Sequence, residues 1–135
     1  MKVLLDTDIL LDVALRRPGF FEDSAAVLSW AEANPGEAAV AWHSLANLFY
    51  LVRLDGRKFI RELLEFVEVA PVGTEEMRAA LGFPMKHLED AMQASAALSF
   101  GARHIITRNL PDYRQSPVQA LKPVVFLHLI GQRED

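Results

Sequence analysis

The apolar run Val3-Leu4-Leu5 is closed by Asp6 and followed at once by Thr7, Asp8 and a second apolar stretch. A run this short, without polar alternation, reads as a parallel strand buried on both faces and feeding a helix. In open α/β sheets the ligand crevice lies beyond the carboxyl ends of the strands, so a carboxylate at that point is aimed at a site. The pattern returns twice. Glu89-Asp90 opens a helix, and the strand His104-Ile105-Ile106-Thr107 runs into Arg108-Asn109-Leu110-Pro111-Asp112. Each acid alone could be a helix cap. Three acidic clusters far apart in sequence, each at an element end, favour a shared carboxylate site.

The rest of the chain is read as strands alternating with helices. Strands are expected at 2–6, 38–41, 67–72 and 103–107. Helices are expected from Asp8 to about Leu15, from Asp23 to Ala33, from a Ser44 cap to near Gly56, from Arg57 to Phe66, from a Thr74 cap to Gly82, and from Glu89 to Phe100. Asn34-Pro35-Gly36 is a strong stop, and Gly101 is the expected C-terminal cap of the last of these helices. The tail admits two readings. Either Val118 to Ala120 is a strand and Pro123 starts a helix, or Val124 to Leu129 is itself a strand. The alternation implies a three-layer α/β/α sandwich around a central parallel sheet.

The 135 residues fit a single domain, 1–135, large enough for a core without staples. There is no cysteine, hence no disulfide framework, thiolate zinc site or cysteine nucleophile. Asp6, Asp8 and Asp12 interrupt the apolar start, which does not resemble a signal peptide, and no run is apolar enough to span a bilayer. A cytoplasmic protein without membrane contact is expected. The net charge of −4 argues against indiscriminate coating of nucleic acid but leaves room for a local basic groove.

Magnesium and manganese prefer oxygen ligands, and clustered Asp, Glu and Asn supply them. Such cations catalyse phosphodiester hydrolysis by activating water and stabilising the leaving oxygen. Asp6 is the first candidate ligand, because a strand end holds it rigidly, and Asp90, beside Glu89, is the second. Asn109 and Asp112 could complete the shell or hold a coordinated water. Thr7 and Thr107 could hydrogen-bond carboxylates or phosphate from behind. Arg108, next to these acids, is the expected phosphate contact. The group Arg53, Arg57, Lys58 and Arg61 is read as a solvated helix face, and His104 as structural. His87 precedes the acidic pair and could approach the site. Trp30 and Trp42 sit in apolar patterns and are expected in the core.

Three blocks together carry a resemblance: Lys2-Val-Leu-Leu-Asp6-Thr-Asp-Ile-Leu-Leu-Asp12, Leu88-Glu-Asp90-Ala-Met-Gln-Ala-Ser-Ala-Ala97 and His104-Ile-Ile-Thr107-Arg-Asn109-Leu-Pro-Asp112-Tyr113. Taken in order, they resemble the signature blocks of the PIN domain, nearest to the VapC-type toxins of bacterial toxin–antitoxin systems. The resemblance implies a magnesium- or manganese-dependent ribonuclease acting on RNA, with Asp6, Asp90 and Asp112 as catalytic acids. It also implies metal binding by Asp6, Asp90, Glu89, Asn109 and Asp112, a cognate antitoxin partner and a homodimer. One departure stands out. The family usually carries a Glu on its third helix, whereas His43-Ser44-Leu45-Ala46-Asn47-Leu48-Phe49-Tyr50 contains no acid. Ser44 or Asn47 could occupy that position, or Glu89 could supply the charge from elsewhere.

Two other readings stay open. A catalytically degenerate PIN-like binding module, acting through partners on apolar surfaces such as Leu48-Phe49-Tyr50-Leu51-Val52, would have much the same sequence. Asp6-Thr7-Asp8 also resembles the opening of haloacid-dehalogenase phosphatases, in which Asp6 would be a nucleophile. The chain shows no convincing later lysine motif for that chemistry.

Overall fold

The computed structural model describes residues 1–53 and 55–131. The chain runs β1 (Val3–Leu5), α1 (Thr7–Ala14), α2 (Phe21–Ala33), β2 (Ala38–Val40), α3 (Trp42–Val52), α4 (Gly56–Leu63), β3 (Glu68–Val69), α5 (Thr74–Gly82), α6 (Leu88–Phe100), β4 (His104–Ile106), a 3-10 turn (Leu110–Tyr113), β5 (Gln119–Leu121) and α7 (Pro123–Leu129). The five strands are all parallel, in the order β3-β2-β1-β4-β5. The expected three-layer α/β/α sandwich is the observed one.

Strand β1 lies at the centre, and its three residues are fully buried. Successive side chains leave a strand on opposite faces. Accordingly Val3 and Leu5 enter one core with Ile9, Leu10, Val27, Trp30 and Phe126, while Leu4 enters the other with Ala94, Ala97, Ile105 and Tyr113. This is why the run carries no polar alternation. Fully burying one such aliphatic side chain contributes about 1.5–3 kcal/mol. The small residues of α6 let that helix lie close on the sheet, and Gly101 ends it in the left-handed region at φ +82°.

The order of strands positions the site. From β1 the chain moves to β2 on one side, and β4 later adds on the other, so the connections diverge at the carboxyl end of β1. A crevice opens at such a point. Asp6, the residue after β1, stands at its floor.

Several boundaries differ from the sequence reading. The first helix is capped by Asp6, whose carboxylate accepts the Thr7 amide at 2.7 Å, and Asp8 lies inside the first turn. The helix expected from Ser44 starts at Trp42, because Ser44 is buried and its hydroxyl is engaged elsewhere; residue 54, within that helix's expected length, lies outside the described residues. Thr74 is the first helical residue of α5, and Glu76 accepts the Gly73 amide in place of a threonine cap. The strand expected over 67–72 shrinks to two paired residues at the sheet edge, where one side lacks a partner. In the tail, the strand-then-helix alternative is the observed one, with Pro123 opening α7. Trp30 is core and meets Phe126 edge-to-face at 4.9 Å, but Trp42 is 72 % exposed on α3 and not in the core.

Candidate metal centre

An open cleft of about 650 Å³ lies at the carboxyl end of the sheet. Asp6, Asp8, Asp90 and Asp112 all line it, together with Thr7, Asn47, Glu89 and Asn109. Thr7 and Asp8 come from the first turn of α1, and four other places in the chain supply the rest. Asp6 follows β1, Asn47 comes from the middle of α3, Glu89 and Asp90 from the first turn of α6, and Asn109 and Asp112 from the segment after β4. His87, the residue before α6, is exposed at the rim.

Asp6 is the most constrained of the acids. Oδ1 accepts the Thr7 amide at 2.7 Å. Oδ2 accepts the Thr107 hydroxyl at 2.8 Å and the Tyr113 hydroxyl at 3.0 Å. Burial pushes its carboxyl above the usual range, while those three hydrogen bonds pull the other way. Asp8 is held by the Arg108 amide at 3.0 Å, with the Thr107 hydroxyl at 3.3 Å, and its other oxygen, Oδ1, is buried without a hydrogen-bond partner among the described residues. Its pKa is raised to about 6, first by burial and then by the charge of Asp6.

Asp90 is raised to about 6 as well, by burial and then by the charges of Asp6 and Asp112, with Glu89 adding to them. The Asn109 side-chain amide donates to Asp112. Tyr113, 3 % exposed, has its own ionisation pushed far up by burial and the surrounding acids, so its phenol stays a hydrogen-bond donor.

These groups are a hard, all-oxygen donor set, which suits Mg²⁺ or Mn²⁺. Among the described residues, no three His, Asp or Glu side chains are already drawn together around one point. A cation that keeps several of its waters does not need a closed protein cage. The orphaned Asp8 oxygen and the raised Asp90 carboxyl are what a cation would relieve, so the residues fit the group.

Of the other sequence candidates, Thr107 sits directly behind the acids, and Ser44 is fully buried in the wall. Ser44 accepts the Thr7 hydroxyl at 2.8 Å and the Gln93 side-chain amide at 2.6 Å. Of the two α3 residues considered for the missing acid's position, half-buried Asn47 lines the cleft, beside Tyr50 and Leu51, and Ser44 does not. Arg108 is placed differently. Its guanidinium does not line the cleft but grips Asp12 with two hydrogen bonds, 2.8 and 2.9 Å, beneath the ring of Phe20.

Sequence reasoning missed Asp12, Gln93 and the hydroxyl of Tyr113. Asp12 follows Asp8 by one helical turn, and an acid on an otherwise apolar helix face was the available signal that a cation had to reach it. Gln93 stands one turn after Asp90 on α6 and carried the same kind of signal.

The sequence matches the PIN domain family over residues 2–111. With that span, the chain belongs to the PIN domain family. No curated protein matches it in sequence. Among solved structures it is similar to a toxin–antitoxin complex from Klebsiella pneumoniae, with TM-score 0.70, 20 % identity, and 90 % of this chain and 98 % of that chain covered. It is similar to VapBC2 from Rickettsia felis bound to a DNA fragment from their promoter, with TM-score 0.67, 18 % identity, and coverage of 90 % and 98 %. It is also similar to DNA-bound VapBC from Salmonella typhimurium, with TM-score 0.67, 19 % identity, and coverage of 91 % and 98 %. The shared fold includes the sheet whose carboxyl edge carries the cleft.

Proposed function

We propose that this protein is a Mg²⁺- or Mn²⁺-dependent endoribonuclease and the toxin of a VapBC-type toxin–antitoxin pair. The observation that carries the reading is the convergence of Asp6, Asp8, Asp90 and Asp112 on one cleft whose lining, among the described residues, includes no Lys or Arg. Asp6, Asp90 and Asp112 are the catalytic acids and, with Glu89 and Asn109, the ligands. When bound, the cation supplies positive charge to a phosphate and an activated water for its hydrolysis.

The protein's own groups do the remaining work. The Thr107 and Tyr113 hydroxyls fix the carboxylate of Asp6 so that it needs no reorganisation. The Asn109 amide orients Asp112. Tyr113 remains protonated and so keeps donating its hydroxyl to Asp6.

An antitoxin and a second copy of the chain are the partners this reading entails. Trp42, Tyr50 and Leu51 on α3, exposed by 72 %, 77 % and 52 %, are large apolar groups available for such contacts. They also favour the second reading, a PIN module that acts through protein partners without cutting RNA. No helix among the described residues is long and apolar enough to cross a membrane.

The test is cleavage of structured and single-stranded RNA with Mn²⁺, with EDTA, and by Asp6→Asn. Cleavage that needs the metal and vanishes in the variant supports the nuclease. Cleavage that is indifferent to both would overturn it, and no cleavage by folded wild type would favour the binding module.

A further inference from the structure

We infer that the Asp12–Arg108 pair is a clamp that sets the width of the cleft, making Arg108 a positioning residue and not a phosphate contact. The inference rests on reading the cleft as a cation site. Arg108 reaches α1 at two levels. Its backbone amide donates to Asp8, and one turn further along the helix its guanidinium makes a side-on, two-pronged bond to Asp12. Asp12 has no solvent exposure and is satisfied from further directions, by the Ser24 hydroxyl at 2.9 Å and by Arg17 at 3.8 Å. The Phe20 ring covers the guanidinium at 3.8 Å, which excludes water from one face of the pair.

A planar guanidinium held at two nitrogens fixes direction as well as distance, which a lysine ammonium does not. What it fixes is the segment leaving β4. Thr107, the preceding residue, bonds Asp6, and Asn109, the following one, donates its amide to the Thr107 hydroxyl at 3.0 Å and its side chain to Asp112. One clamp therefore ties the wall carrying Asn109 and Asp112 to the wall carrying Asp6 and Asp8. Releasing it lets the two acidic walls separate under their own repulsion.

The test compares wild type with Arg108→Lys, Asp12→Asn and Ser24→Ala. Ser24→Ala removes a bond to Asp12 without freeing the Arg108 grip, and serves as the control for simple loss of stability. Amide hydrogen exchange at residues 107–109, Mn²⁺ affinity by calorimetry, and the salt dependence of RNA binding are measured on folded protein at matched distance below each melting temperature. In Arg108→Lys the Arg108 and Asn109 amides are expected to lose protection while α2 and α7 keep theirs. Mn²⁺ affinity should fall about tenfold, the lower end for groups that orient ligands, with the salt slope of RNA binding unchanged. Asp12→Asn should act in the same direction and Ser24→Ala should not.

Unchanged amide protection in Arg108→Lys would overturn the clamp, as would equal effects in Ser24→Ala. A salt slope shallower by about one, with metal affinity intact, would make Arg108 a phosphate contact instead. If wild type binds no Mn²⁺, the nuclease reading fails on its own, and the exchange data still decide whether the clamp exists.

Discussion

Tyr113 donates its hydroxyl to Asp6 at 3.0 Å, joining residues 107 positions apart in the sequence. Together with Thr107 it gives one buried carboxylate oxygen two donors from the segment after β4. Asp6 is thereby held by three hydrogen bonds in one orientation at the edge of the cleft. Asp90 and Asp112 line the same cleft.

Thr107→Val tests that support with little change of shape. The hydroxyl it removes donates to Asp6 and receives the Asn109 amide, and the residue is fully buried. Losing these two bonds, with Tyr113 still donating to Asp6, should cost about 1–3 kcal/mol of unfolding free energy in urea titration. Mn²⁺ affinity should fall 10- to 100-fold, roughly the range for groups that orient a ligand. A variant equally stable and equally tight for Mn²⁺ would show the hydroxyl to be idle.

Asn47→Glu restores an acid to the face of α3 that lines the cleft. One added charge within ligand distance should tighten Mn²⁺ binding by roughly tenfold, well within the Coulomb energy available there. Ser44→Glu should not rescue binding, because Ser44 is buried between Thr7 and Gln93 and the larger, charged side chain would disrupt that contact. Titration calorimetry on the two variants distinguishes the positions.

The metal-free protein should lose stability as pH rises from about 4 to about 6. Asp90 and Asp8 have native pKa values near 6 against an ordinary 3.8. Between those values the native state holds more protons than the unfolded chain, so unfolding releases them and higher pH favours it. The melting temperature of EDTA-treated protein should fall across that window. Asp90→Asn should flatten part of the slope. A slope of opposite sign would mean that the acids are already neutralised by something other than protons.

Phe126→Ala should separate stability from the site. Phe126 is fully buried against Trp30 and does not line the acidic cleft. The loss should be about 3–5 kcal/mol, read from denaturant midpoints, with Mn²⁺ affinity unchanged at temperatures where the variant is folded.

The parts of this molecule that could be read from sequence are those where one local signal had one physical cause. Val3-Leu4-Leu5 could only be so uniformly apolar if both faces were covered, and the acid after it could only face the crevice. Gly101 was legible because a left-handed cap suits it. The cap of α1 is Asp6 and not the expected Asp8, because both are good caps two residues apart and the tertiary partner that holds Asp8, the Arg108 amide, is 100 positions away. The direction of Arg108 was hidden for a related reason. Its proximity to acids in sequence suggested a phosphate, but Asp12, 96 positions away, holds it. Trp42 was misplaced because an apolar helix pattern does not say which apolar residues a partner-free chain leaves outside.

The central claim is that the carboxylates form one cation site. Titration of Mn²⁺ into metal-free wild type, Asp6→Asn and Asp90→Asn, with folding checked by circular dichroism, tests it most directly. The account predicts saturable binding by wild type and its loss in both folded variants. Equal binding by all three, or none by folded wild type, would contradict it.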